Sequence, residues 1–292
     1  MKKRILFIIN PIAGVKRKDA IPAHIAACLN HDLYEHQIVY TERRGHATEI
    51  AEQAVRDGID VVVVAGGDGS VNEVACALIG SDTVLGILPF GSGNGLARHL
   101  GYPMKVREAI GVLNHGSSMA IDVGTVNGRP FFSLIGIGFD AFVAKVFDRE
   151  KARGFAAYTW SAIKSLGVFK PFDFDIENDG QRHTGSAFMI NICNSNQYGY
   201  DVQIAPLADI QDGELDIVLL RNLPKWRAVL LVLQVLLNRH HNSRTLQYMR
   251  GKEIAITSSR PAYLQIDGET FRKEKEFRIK VLPRALKVMA NR

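Results

Sequence analysis

Apolar runs and helically spaced apolar positions alternate through the first third of the chain. Arg4 to Ile9 is β-prone and breaks at Asn10-Pro11-Ile12-Ala13-Gly14, after which Ile21, Ile25 and Leu29 recur at helical spacing. Ile38-Val39-Tyr40 predicts a second strand ending at Thr41, and Gly45 to Ala51 opens another helix. Val61 to Val64 are four β-branched residues in a row, the pattern of a strand buried on both faces. Gly66-Gly67-Asp68-Gly69-Ser70 stops it, and Val71, Val74, Ala75 and Leu78 predict a helix from about 71 to 79. A further strand, Val84 to Leu88, ends in Pro89-Phe90-Gly91-Ser92-Gly93-Asn94-Gly95, followed by a helix over about 104–114. Strand and helix alternating in this way call for a parallel sheet with right-handed crossovers.

From Met119 the pattern changes to short strands, expected at 119–126, 130–136, 172–177, 185–194, 214–220, 252–258, 262–267 and 275–281. Gly, Asn and Asp turns separate them, as in a β-sandwich or barrel. Helical insertions are expected at about 139–167 and 225–239, and residues 285–289 either end the second domain or return to the first. The expected domains are therefore 1–120, α/β, and 121–292, mainly β and sandwich-like with helical insertions.

Composition narrows the function classes. Hydrophobic residues at 47% and charged residues at 23% of 292 describe a folded globular chain. The excess of 36 Lys and Arg over 30 Asp and Glu gives +6, which favours an anionic surface or a polyphosphate. No basic stripe interleaved with aromatics marks a nucleic-acid binder. Cys28, Cys76 and Cys193 lie far apart without zinc-ligand spacing and read as reduced cysteines of a cytosolic protein. Ile5 to Ile9 is too short for the core of a signal peptide. The longest apolar run, Ala228 to Leu237, falls short of the roughly 20 residues that span a bilayer.

Three glycines around Asp68 let backbone approach a ligand closely, at the strand end where open α/β sheets bind ligands. The free N–H groups of the next helix favour phosphate, which Asp68 would repel unless a cation lay between them. A metal-nucleotide site is the expectation, beside the plainer reading of a tight turn with Asp68 as helix cap.

Extended to Gly66-Gly67-Asp68-Gly69-Ser70-Val71-Asn72-Glu73, the stretch resembles the nucleotide loop of the diacylglycerol kinase, sphingosine kinase and ceramide kinase superfamily; NAD kinases carry a related loop. The resemblance runs from Asn10 to Glu269. It implies a Rossmann-like or phosphofructokinase-like parallel sheet in the first domain and use of ATP with Mg2+. ATP-binding positions would be Asn10, Pro11, Gly14, Thr41, Gly66, Gly67, Asp68, Gly69, Ser70, Asn72, Glu73, Gly91, Ser92 and Asn94, with Asn72 and Glu73 also suited to shaping the loop. Asp68 and Asp122 would organise the catalytic magnesium. Asp209, Asp212 and Glu214 would hold a structural one, Asp212 through its carboxylate and the other two through backbone oxygens. Glu269, in Gln265-Ile266-Asp267-Gly268-Glu269, would be the base for a lipid hydroxyl, with Asp267 supporting it and Asp68 counted with them as catalytic through the magnesium.

Where many bacterial diacylglycerol kinases carry Gly-Thr-x-Asn-Asp, this chain has Gly91-Ser92-Gly93-Asn94-Gly95 and lacks the second acid. The loop resembles that of sphingosine and ceramide kinases, so a sphingoid or ceramide-like acceptor stands beside diacylglycerol. Phe139, Phe142, Val143, Val146 and Phe147 recur at helical spacing, as do Trp226, Val229, Leu230, Leu233 and Leu237, with Trp160 between them. Flanking lysines and arginines suit an anionic bilayer, so Phe139, Phe142 and Trp160 are candidate lipid contacts. The resemblance adds Asp122, which in the family's junction strand lies near the catalytic magnesium or the acceptor head group. The expected setting is cytoplasmic and peripheral to the inner face of the membrane, with a homodimer open. A NAD kinase-like enzyme and a non-catalytic, nucleotide-dependent membrane regulator are the alternatives.

Overall fold

The computed structural model describes residues 2–12, 20–150, 154–199, 202–221 and 245–291, with Pro224, Arg227 and Gln234 besides. The chain forms two compact units, one of residues 1–121 with 284–292 and one of residues 122–283. Residues 285–289 thus return to the first unit.

In the first unit β1 (Lys3–Ile9), α1 (Ile21–Cys28), β2 (Tyr34–Tyr40), α2 (His46–Arg56), β3 (Val61–Gly66), α3 (Asp68–Leu78), β4 (Val84–Pro89), α4 (Gly95–His99) and α5 (Val106–His115) follow in order. The strands pair in parallel as β2-β1-β3-β4, with Val288 beside Leu85 at the β4 edge. The whole of β3 is buried, as its valine run demands. Alternating βα units place the loops after β1, β3 and β4 at the carboxyl ends of their strands. Helix α3 starts at Asp68, earlier than its apolar spacing suggests, because Gly67 is its cap and Asp68, Gly69 and Ser70 make its first turn.

The chain enters the second unit along β5 (Ser117–Val126). There β6 (Arg129–Phe131), β7 (Leu134–Gly138), α6 (Phe139–Arg149), α7 (Phe155–Leu166), β8 (Phe172–Asn178), β9 (Gln181–Cys193), β10 (Gln197–Gly199), β11 (Val202–Gln203), β12 (Leu215–Arg221), β13 (Leu246–Gly251), β14 (Glu253–Ile266) and β15 (Glu269–Ala290) follow. Both β9 and β14 are long: one half of each pairs with β8 and the other half with β7. The inner layer of Ile135, Ile137, Phe174, Ile190, Ile217, Ile256, Leu264 and Phe277 is buried, and α6 and α7 cover the opposite face around Leu134, Val143, Leu166 and Phe188.

Several boundaries depart from the sequence pattern. The strand expected at 130–136 is β6 and β7, and the insertion at 139–167 is two helices. The strands expected at 252–258 and 262–267 are one, β14, whose pairing with β15 shifts register between Thr257 and Ala262, around Pro261. Strand β13 carried too little alternation to be found. The helix expected at 225–239, Gly14, and Trp226, Val229, Leu230, Leu233 and Leu237 lie outside the described residues.

Candidate active site

Two glycine loops of the first unit lean on each other because neither carries side chains there. A Cβ on Gly91 would lie 2.6 Å from the Gly67 Cα, and one on Gly93 would lie 2.9 Å from Asp68 Oδ2. Phe90 N–H donates to the Gly66 carbonyl at 2.8 Å. Into this contact Asp68 places its carboxylate: Oδ2 accepts the Asn94 N–H at 2.9 Å and Oδ1 accepts the Gly95 N–H at 2.8 Å. Asn94, at φ 51, turns the chain so that both N–H groups converge. Asp68 is half-buried, its carboxylate engaged by the N–H groups of the neighbouring loop. Burial pushes its pKa up, while the Asn94 and Gly95 N–H groups and the Arg98 charge pull it back. Arg98 also closes the loop through Nε to the Gly93 carbonyl at 3.0 Å.

Neighbouring loops of the same unit are tied to this pair. Asn10 Nδ2 donates to Ser70 Oγ at 2.9 Å, and its Oδ1 accepts the Ile12 N–H. Glu73 Oε1 accepts the Gly45 N–H at 3.1 Å, while Thr48 Oγ1 donates to the Glu73 carbonyl. Glu73 therefore shapes the loop after β2, and its carboxylate is turned to backbone. Asn72 Oδ1 faces Cys76 Sγ at 3.5 Å. Thr41 is buried, its N–H on the Ile9 carbonyl, and Ser92 is exposed.

In the second unit Asp267 and Gly268, with φ 47 and 87, form a two-residue turn that joins Ile266 to its partner Glu269. The Asp267 carboxylate is surrounded by backbone: Oδ1 accepts the Ser133 and Leu134 N–H groups at 2.8 and 3.0 Å, and Oδ2 the Phe132 N–H at 2.9 Å. These hydrogen bonds hold the turn that carries Glu269, which is compatible with Asp267 supporting the proposed base. Glu269 follows, half-buried, at the start of β15.

Asp122 is fully buried, and its Oδ2 accepts the Gly213 N–H at 2.7 Å. It braces the acidic loop and presents no surface to a lipid head group. Phe139 is likewise no lipid contact, because it packs inside against Phe169 and Phe188. Phe142 is half-buried between Phe169 and Tyr263, and Trp160 is 57% exposed. In the acidic loop, Asp209 and Asp212 accept the Gln211 and Glu214 N–H groups. Arg250 lies 3.5 Å from Asp212 and 3.3 Å from Asp216. Partial burial raises the Asp212 pKa and Arg250 opposes the rise. Among the described residues no group of three or more His, Cys, Asp or Glu side chains is arranged to hold a metal. Arg250 already supplies positive charge beside Asp212, and the expected site, one carboxylate with the backbone oxygens of Asp209 and Glu214, needs no such side-chain group.

Asp140 and Gln265 escaped the sequence reading. Asp140 is buried, Oδ2 accepting from Gln265 Nε2 at 2.8 Å, and burial raises its pKa to about 6 against the Gln265 and Tyr158 hydrogen bonds. The available signal was an acid inside the apolar run Phe139 to Val143.

Paired glycine loops opening a helix N-terminus in an α/β sheet suit the class of phosphotransferases, and comparison with known proteins supports that class. Residues 4–126 match the diacylglycerol kinase catalytic domain, and residues 133–290 match the YegS C-terminal NAD kinase beta sandwich-like domain. The chain is 28% identical over 275 residues to the diacylglycerol kinase of Bacillus subtilis strain 168, covering 91% of this chain and 90% of the relative. It is 31% identical over 249 residues to a YegS-like lipid kinase of Chromohalobacter salexigens, covering 83% and 79%. The crystal structure of a diacylglycerol kinase from Bacillus anthracis str. Sterne has the same fold, with a TM-score of 0.81 at 24% identity over 99% of this chain and 97% of that one. The chain belongs to the diacylglycerol kinase and YegS-like lipid kinase family.

Gly91→Ala should cost about 1–3 kcal/mol, since backbone blocks the new methyl. The denaturant midpoint checks this; an unchanged midpoint would mean that the loops separate freely. The stability change caused by Asp140→Asn should be more favourable at pH 7.5 than at pH 4, whatever its sign at either. An aspartate ionises near about pH 4 in the unfolded chain and near 6 here. The folded state thus keeps a proton that the unfolded state has lost, and stability falls as pH rises through that window, by about 3 kcal/mol in all. Equal midpoint shifts at both pH values would contradict the assignment.

Proposed function

We propose that the protein transfers the γ-phosphoryl group of magnesium-bound ATP to the hydroxyl of diacylglycerol. The observation that carries this reading is the locking of the two glycine loops by Asp68 where α3 opens. The Gly69 and Ser70 N–H groups lie in the first helical turn, without carbonyls four residues back, and favour phosphate. Ser70 Oγ accepts from Asn10 and keeps its own proton to donate. Each Asp68 oxygen keeps a second acceptor direction, and its half-buried carboxylate fits a cation partner. Magnesium bound with ATP supplies neutralisation of phosphate charge. Glu269 accepts the proton of the acceptor hydroxyl as general base.

The glycines at 91 and 93 are accounted for by the loop contact and by room for Asp68, and Gly95 acts through its backbone. Nothing in that loop then speaks for a sphingoid acceptor, and the relatives named diacylglycerol kinase favour diacylglycerol. Transfer of labelled γ-phosphate to diacylglycerol, sphingosine, ceramide and NAD in mixed micelles tests the reading. Product is expected on diacylglycerol, with kcat about 10²–10⁴-fold lower in Glu269→Gln. Product on NAD alone, or nucleotide binding without transfer, would move the assignment to a NAD kinase-like enzyme or a non-catalytic regulator.

The reading includes peripheral binding to an anionic membrane. Exposed Trp160 carries Lys164 over its ring at 5.4 Å, and Lys145 and Lys273 both approach the Tyr263 ring. Aromatic rings under cations suit the head-group region. Sedimentation should show tighter binding to phosphatidylglycerol vesicles than to neutral ones, weakened in Trp160→Ser; equal binding at low salt would refute it.

A further inference from the structure

Gly136 on β7 stands opposite both Asn191 on β9 and Gln265 on β14. Directly opposed residues of antiparallel strands turn their side chains to one face. At Gly136 that face is filled by the carboxylate of Asp140 from α6. A Cβ on Gly136 would lie 1.8 Å from Asp140 Oδ2 and 2.9 Å from Gln265 Nε2, so space alone demands the glycine.

The Gln265 amide spans two partners. Nε2 donates to Asp140 Oδ2 at 2.8 Å, and Oε1 accepts the Gly268 N–H at 2.7 Å. A backbone N–H only donates, so the amide oxygen must face Gly268 and the NH2 must face Asp140. Asp140 is the acceptor that makes this orientation complete. Its other oxygen takes the Tyr158 hydroxyl at 3.4 Å, and Tyr158 in turn shares a hydrogen bond with Tyr198 at 2.6 Å. The same helix reaches past the turn, where Thr270 Oγ1 donates to Asp148 Oδ2 at 3.0 Å. A carboxylate so deeply placed is costly in a β core. Its partner Gln265 in turn accepts the N–H of Gly268, the residue just before the proposed base.

From this geometry we infer that Asp140 is a positioning residue of the kinase, acting through Gln265 to hold the Asp267-Gly268 turn and so to aim the Glu269 carboxylate. The inference rests on the reading of Glu269 as the base.

The test uses the full-length protein with ATP and diacylglycerol micelles, comparing Asp140→Asn, Gln265→Met and their double variant, with Glu269→Gln alongside. Each single variant should lower kcat about 10-fold to 100-fold and leave the KM for ATP within about twofold. Acting in one chain of contacts, the two changes should not compound, and the double variant should match the worse single one. Hydrogen exchange should quicken across 264–270 and stay unchanged across 172–178. Gly136→Ala, which evicts Asp140 with every polar atom still present, should copy Asp140→Asn. Unchanged exchange at 264–270 would overturn the inference, as would faster exchange there with full kcat, compounding losses, or protection lost equally across 172–178. Full activity in Glu269→Gln would instead refute the base, while the exchange result would still report on the turn.

Discussion

One carboxylate sets the geometry of the first unit. Asp68 is rigidly placed because it begins α3 directly after a strand buried on both faces, and it accepts N–H groups from a loop that follows a different strand. Those two hydrogen bonds turn adjacent strand ends into one surface. The glycines nearby are explained first by this contact: Gly67 and Gly91 meet as bare backbone, and Gly93 leaves room for the acid. Asn10 and Glu73 extend the same logic, each spending a side chain on the backbone or hydroxyl of a neighbouring loop.

The second unit solves a parallel problem differently. A two-residue turn is intrinsically mobile, yet this one is held from within by the Asp267 carboxylate on three N–H groups and from beneath by the Gln265 amide. Glu269 follows directly on the residues held in this way. Asp-Gly satisfies the backbone demand for two positive φ values, and the aspartate side chain serves a second purpose that any other turn residue would forfeit.

Legibility in the sequence followed the range of the interactions. The valine run of β3, the helices after it and the glycine-rich strand ends could be read because their cause is local: period, branching and missing side chains. The engagement of Asp68 could not, because its partners are Asn94 and Gly95. The part played by Asp267 depends on Phe132 to Leu134, more than a hundred positions earlier, so spacing around Asp267 held no trace of it. Strand β14 looked like two strands because Pro261 ordinarily interrupts pairing, and here the register shift absorbs it. Phe139 was placed at a lipid surface on helical spacing and Asp122 near a head group on family resemblance, and both are buried. Family resemblance located Glu269, whereas Asp140 and Gln265 came from hydrogen bonds alone.

Strand β15 starts in the second unit and finishes in the first, where Val288 pairs with Leu85, Gly80 donates to the Ala285 carbonyl and Asn291 donates to the Leu100 carbonyl. During synthesis the first unit therefore leaves the ribosome with its β4 edge uncovered and stays so until the whole intervening β domain has been made. An exposed parallel edge is a site for wrong pairing in that interval. The β domain, by contrast, has all its own strands before the last residues emerge. The order of completion is thus the reverse of the order of translation, and the first unit closes after the second.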